Sequence, residues 1–142
     1  MNGSRANPNA PRDRFQDYDI VYVVTDMAPF VNNLEWVRRF GELMIVQLPD
    51  TMVEPPPTRY DSFAYLMQFM DSNRIDLTIY PLARLPEMER DSQSILLLDK
   101  DGCIEPFPPA GDRDYLPQPP TAAAFGFCCN EFWWVSTYVA KG

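Results

Sequence analysis

The sequence predicts an α+β fold. Apolar runs of strand length recur at 19–24, 43–46, 63–70, 75–80 and 95–98. Between them stand two short stretches of helical pattern, 32–40 and 85–91, and a longer helical stretch runs from Thr121 to about Ala140. Strand-length runs separated by turn residues, with helices interspersed and one long helix last, describe a sheet with helices attached.

Gly3, Pro8 and Pro11 punctuate a loop over residues 3–16. Ile20-Val21-Tyr22-Val23-Val24 offers apolar or aromatic side chains to both faces, the pattern of a strand buried on both sides. In residues 32–40, Leu34, Val37 and Phe40 share a helical face, Asn32 or Asn33 can cap, and Gly41 can end the helix. Leu43-Met44-Ile45-Val46 reads as another buried strand, stopped by Pro49, and Pro55-Pro56-Pro57 as a stiff loop. Asp71-Ser72-Asn73 between two strand runs predicts an antiparallel hairpin. Ile95 to Leu98 reads as a strand ended by the turn Asp99-Lys100-Asp101-Gly102; the spacing of that turn does not fit a calcium loop. Residues 105–120 carry six prolines and read as a linker. Thr121 is placed to cap the last helix, whose apolar residues go most of the way round it, so that it requires packing on several sides.

At 142 residues and 46% apolar, the chain can bury a core. No apolar run reaches the ~18 residues a membrane span needs, and no signal peptide is visible, so a cytoplasmic protein without membrane partners is expected. The net charge of −8 argues against a nucleic-acid partner and favours a cationic small molecule, although acidic composition also serves solubility alone. With no histidine, imidazole bases and imidazole metal sites are excluded. Cys103, Cys128 and Cys129 form neither a metal spacing nor a disulfide framework, and the vicinal pair Cys128-Cys129 reads as core thiols.

The order of three features points to chemistry. Gly3-Ser4 forms a small-residue turn able to offer backbone N–H groups to phosphate. Asp17 and Asp19, two apart at the entrance of a strand, project to one face. Asp76 interrupts an otherwise apolar strand, with Asp76, Thr78 and Tyr80 opposite Ile75, Leu77 and Ile79. Three such acids suit hard cations, and paired cations can clamp a displacement at phosphorus, as nucleotidyl transfer requires. The alternative is that Asp17 and Asp19 are turn residues and Asp76 a solvent-facing charge. Phe132-Trp133-Trp134 could stack on a base or sugar but reads better as core, and Lys141 is either a phosphate contact or a solvated C-terminal cation.

Asn2-Gly3-Ser4-Arg5, Phe15-Gln16-Asp17-Tyr18-Asp19, Phe40-Gly41-Glu42-Leu43, Asp76-Leu77-Thr78 and the block from Cys128 to Gly142 resemble the streptomycin adenylyltransferases. These are the aminoglycoside 6-adenylyltransferase family of resistance enzymes, within the DNA polymerase β-like nucleotidyltransferase superfamily. The resemblance runs the length of the chain. It implies a mixed sheet flanked by helices and carrying the three acids, then a helical domain that completes the acceptor site. Residues 1–104 would be the catalytic domain, 105–120 the linker and 121–142 the first helix of the helical domain. It further implies Mg²⁺, ATP as AMP donor and streptomycin as acceptor. Gly3 and Ser4 would hold the triphosphate with Arg5 assisting, Asp17, Asp19 and Asp76 would be the metal carboxylates, and Lys141 would contact phosphate. The general base is unassigned, with Glu131 a candidate. The lead-in strand before Gly3 and most of the helical domain are missing from the pattern, so a fragment of a longer protein is expected. An inactive truncated product, or an enzyme with another antibiotic or a protein as acceptor, remain the other readings; oligomeric state is not encoded legibly.

Overall fold

The computed structural model describes residues 1–55 and 57–142; the middle of the expected triproline loop, Pro56, lies outside them. Four strands, β1 (Tyr18–Val24), β2 (Leu43–Gln47), β3 (Phe63–Phe69) and β4 (Arg74–Pro81), form one sheet in the order β1-β4-β3-β2. β1 runs parallel to β4, whereas β3 is antiparallel to both β4 and β2, so the sheet is mixed.

The expected hairpin is its centre. Ser72 adopts φ +70°, Asp71 accepts from the backbone N–H of Asn73 at 2.9 Å, and the amide of Phe69 donates to Asn73 at 2.9 Å. Alternation along β3 buries Phe63, Tyr65, Met67 and Phe69 on one face, where they join Leu77 and Ile79 of β4. Val37 joins the same core. It belongs to a 3₁₀ helix, Leu34–Phe40, capped by the Asn33 side chain on the Glu35 amide at 3.1 Å and ended at Gly41. A four-residue helix, α1 (Ala28–Val31), precedes it. The expected helix over 32–40 is thus a single helix of 3₁₀ type over Leu34–Phe40, with α1 just ahead of it. Trp36 stacks edge-on against Phe30, Phe40 and Tyr65, and its indole N–H donates to the Phe30 carbonyl at 3.1 Å.

Several elements differ from expectation. β1 and β2 are not buried on both faces: each lies at an end of the sheet order, and Ile45 is 63% exposed. Apolar content marked them as strands; position in the sheet decided their burial. The run Ile95–Leu98 forms no strand, because Ile95 exchanges two 2.9 Å backbone bonds with Met1 and the pairing goes no further. The expected helix at 85–91 is instead a 3₁₀ turn at Leu82–Glu87, with Pro86 inside it. The Asp99 turn does form, its carboxylate accepting from the amides of Asp101, Gly102 and Ile104.

Part of the proline-rich stretch is tied down. Gly111 donates to Ser92 at 2.7 Å, Ser92 and Asp114 exchange two bonds at 2.7 and 3.0 Å, and the Tyr115 hydroxyl donates to Asp91. The last helix, α2 (Ala122–Lys141), is capped by Thr121 as expected. It buries none of its residues: Phe127, Trp133 and Val139 are exposed, and Cys128 lies open rather than in a core. No helix among the described residues is long and apolar enough to cross a membrane.

Candidate active site

The site is made by strand register. In the parallel pair, Asp19 stands directly opposite Asp76. Side chains of facing residues on neighbouring strands project to the same side, so the two carboxylates meet above the sheet. Asp17, two residues earlier, joins them, and one oxygen from each of Asp17, Asp19 and Asp76 lies within 4.8 Å of the others. All three are half-buried.

The Gly-Ser turn is pinned to this cluster. The Asn2 amide donates to the Asp19 carbonyl at 2.8 Å, and the Ala6 amide closes a turn on Gly3 at 3.0 Å. Gly3 has φ +73°, and a Cβ there would lie 2.4 Å from Asp19 Oδ2. The residue must be glycine both for its backbone and for the closeness of the carboxylate. Ser4, in the same turn, is half-buried.

Arg5 is turned inward on the protein. Its guanidinium donates to the carbonyls of Gln16, at 3.1 and 2.6 Å, and Asp17, at 3.0 Å, and stacks 3.8 Å over the Tyr18 ring. In this arrangement Arg5 fastens the turn to the segment entering β1 and so sets where Asp17 and Asp19 sit. Lys141 and Glu131 are exposed on α2, and among the described residues no hydrogen bond or ion pair joins either to the carboxylates.

Arg74, a residue the motif reading passed over, is part of the cluster. Its Nε and Nη2 donate to the two oxygens of Asp76 at 2.9 and 2.6 Å, and Nε lies 3.8 Å from Asp17. The signal was present: Arg74 and Asp76 are two apart in one strand, hence on one face. Burial pushes the Asp19 carboxyl above its ordinary value, and repulsion from Asp17 and Asp76 pushes the same way. Arg74 and the N-terminal ammonium oppose this. Three converging oxygen donors, one of them resisting ionisation, are a donor set suited to a hard divalent cation, which supplies the missing positive charge.

The fold and site thus define an α+β protein whose mixed sheet gathers three carboxylates on its parallel pair, beside a glycine turn. The streptomycin adenylyltransferase family model matches residues 1–142, and the chain belongs to that family. It is 47% identical over 143 residues to an aminoglycoside 6-adenylyltransferase of Campylobacter jejuni, and 43% identical over 144 residues to one of Bacillus subtilis (strain 168). All of the chain is matched in both cases, against 49% and 51% of those proteins, so it spans about half the length of the curated relatives it matches. A crystal structure of an aminoglycoside 6-adenyltransferase from Bacillus subtilis superposes with a TM-score of 0.55 at 42% identity, over 90% of this chain and 47% of that one.

Proposed function

We propose that this chain is the carboxylate-bearing catalytic portion of an adenylyltransferase that moves AMP from ATP to a hydroxyl of an aminoglycoside, with streptomycin the preferred acceptor. The observation that carries the reading is the meeting of Asp17, Asp19 and Asp76 through strand register. The names of the relatives supply the reaction class.

In this reading Asp17, Asp19 and Asp76 hold Mg²⁺. The bound ion supplies charge neutralisation at the phosphates and a lowered pKa for the acceptor hydroxyl. The Gly3 turn presents backbone N–H groups to the triphosphate, and Arg5 keeps that turn in register with Asp17 and Asp19. Catalysis then rests mainly on positioning and electrostatics. Residues 1–104 form the catalytic domain, and residues 121–142 begin a helical domain that borders the acceptor; the uncovered α2 and the greater length of the relatives support that division. Lys141 and Glu131 then reach the site from that domain, as phosphate contact and general base. Guanidinium groups of streptomycin suit an acidic protein of net charge −8, whereas a polynucleotide does not.

The test is pyrophosphate release from ATP with a panel of acceptors at two salt concentrations. It is run on the 142-residue chain and on the longest reading frame that contains it. Streptomycin should be the best acceptor, with a KM that rises with salt as charge pairs are screened. Asp76→Asn should lower the rate by about a hundredfold or more while the fold survives. Faster adenylylation of a nucleic acid end or a neutral antibiotic would overturn the acceptor assignment. Near-normal turnover by Asp76→Asn would overturn the metal site.

A further inference from the structure

We infer that Arg74 is a built-in counter-cation of the carboxylate cluster, one that competes with a divalent ion for Asp76. The inference rests on the metal reading above and goes beyond it. Arg74 grips both oxygens of Asp76 in a two-pronged bond, at 2.9 and 2.6 Å, and also faces Asp17 at 3.8 Å. Among the described residues the N-terminal ammonium is the other positive group beside Asp19, and it already bonds the Ile95 carbonyl at 2.9 Å.

A divalent ion held by the three acids has to take an oxygen from Asp76. That oxygen already accepts a charge-assisted bond, and a dication beside a guanidinium is repelled by it. Entry of the ion therefore loosens the Arg74 fork. Arg74 can leave without disturbing the core: its side chain is 48% exposed and it opens β4 opposite Gln68, beyond the buried Leu77 and Ile79. Without a divalent ion the same fork keeps three crowded carboxylates from driving one another apart. The consequence is a site that stays assembled before metal arrives, at some loss of metal affinity.

The sign of one measurement decides the matter. Manganese(II) binding to the chain, followed by electron paramagnetic resonance, is compared for the unaltered protein, Arg74→Gln and Arg74→Lys. A competitor predicts that Arg74→Gln tightens manganese binding by about three- to fivefold, the range set by a partly exposed charge pair. Arg74→Lys keeps the charge but not the fork and should fall between. The chelator-treated Arg74→Gln variant should also melt lower than the unaltered protein, and manganese should raise its melting temperature further. Weaker or unchanged manganese binding in Arg74→Gln would overturn the inference, since a residue that merely anchors Asp76 for the metal gives weakening. Asp19→Asn separates the two levels of the argument. If it binds manganese as well as the unaltered chain, the metal reading fails and the inference with it. If it loses binding while Arg74→Gln does not shift, only the inference fails.

Discussion

At Gly3 the backbone turns with φ +73° within 2.4 Å, at the position of an added Cβ, of Asp19 Oδ2. Gly3→Ala forces either the turn or the carboxylate to move, and in the proposed function both serve nucleotide binding. Nucleotide affinity measured by calorimetry should fall, by about tenfold for each 1.4 kcal/mol of displaced contact, with little change in affinity for the acceptor; equal ATP affinity would remove Gly3 from the site. Tyr65 offers a cleaner structural probe. Its side chain is fully buried, and its hydroxyl donates to the Phe30 carbonyl and accepts from the Trp36 indole at 3.4 Å. Tyr65→Phe leaves Phe30 with its indole donor, so the loss in urea unfolding should be about 1 kcal/mol, with an unchanged m-value. At this scale the type and spacing of the acids were legible, and the structure brings Asp17, Asp19 and Asp76 within 4.8 Å of one another. Arg5 was harder to read. The resemblance places it beside the triphosphate, and in the fold it also bonds the Gln16 and Asp17 carbonyls, contacts that no local pattern encodes.

Among the elements, the segment around Ser92 and the end of the proline-rich stretch behave as one latch. Asp91 accepts from the Tyr115 hydroxyl, from Ser94 at 3.1 Å and from the Gln93 amide at 2.9 Å. The Tyr115 bond, more than the others, holds the Asp91 carboxyl below its ordinary value. A carboxyl depressed in the folded state adds stability above its unfolded value and loses it as pH falls through the folded one. Melting temperature should therefore decline as the chain is acidified from the ordinary carboxylate range downward, and Asp91→Asn should lower the neutral-pH value slightly and flatten that decline. An unchanged acid limb would show that the latch does not contribute. Composition suggested a linker here because prolines discourage regular structure; it carries no information on the long-range partners Ser92 and Asp91. The hairpin and the Thr121 cap were legible for the opposite reason, since their determinants lie within a few residues.

Over the whole molecule, apolar surface is distributed unevenly. One face of β3 and β4 forms the core, while α2 leaves Phe125, Phe127, Phe132, Trp133, Trp134 and Val139 more than 60% exposed. An apolar helix so uncovered seeks another surface. In sedimentation experiments the 142-residue chain should associate or precipitate, despite its net charge of −8, and replacing Phe127, Trp133 and Val139 by Gln should reduce that association. A monodisperse monomer with a single cooperative melt would contradict this. Local pattern alone carries the α+β class, the central hairpin, the final helix with its cap and the spacing of Asp17, Asp19 and Asp76. Each of these depends on periodicity, turn chemistry or residue type over a short span. Long-range packing is what sets β1 beside β4 in the register that opposes Asp19 to Asp76, brings Arg74 to them, and leaves β1 and β2 at the ends of the four-strand order. Strand order and register are set by which faces bury together and by contacts between residues distant in sequence, and a one-dimensional pattern does not contain them.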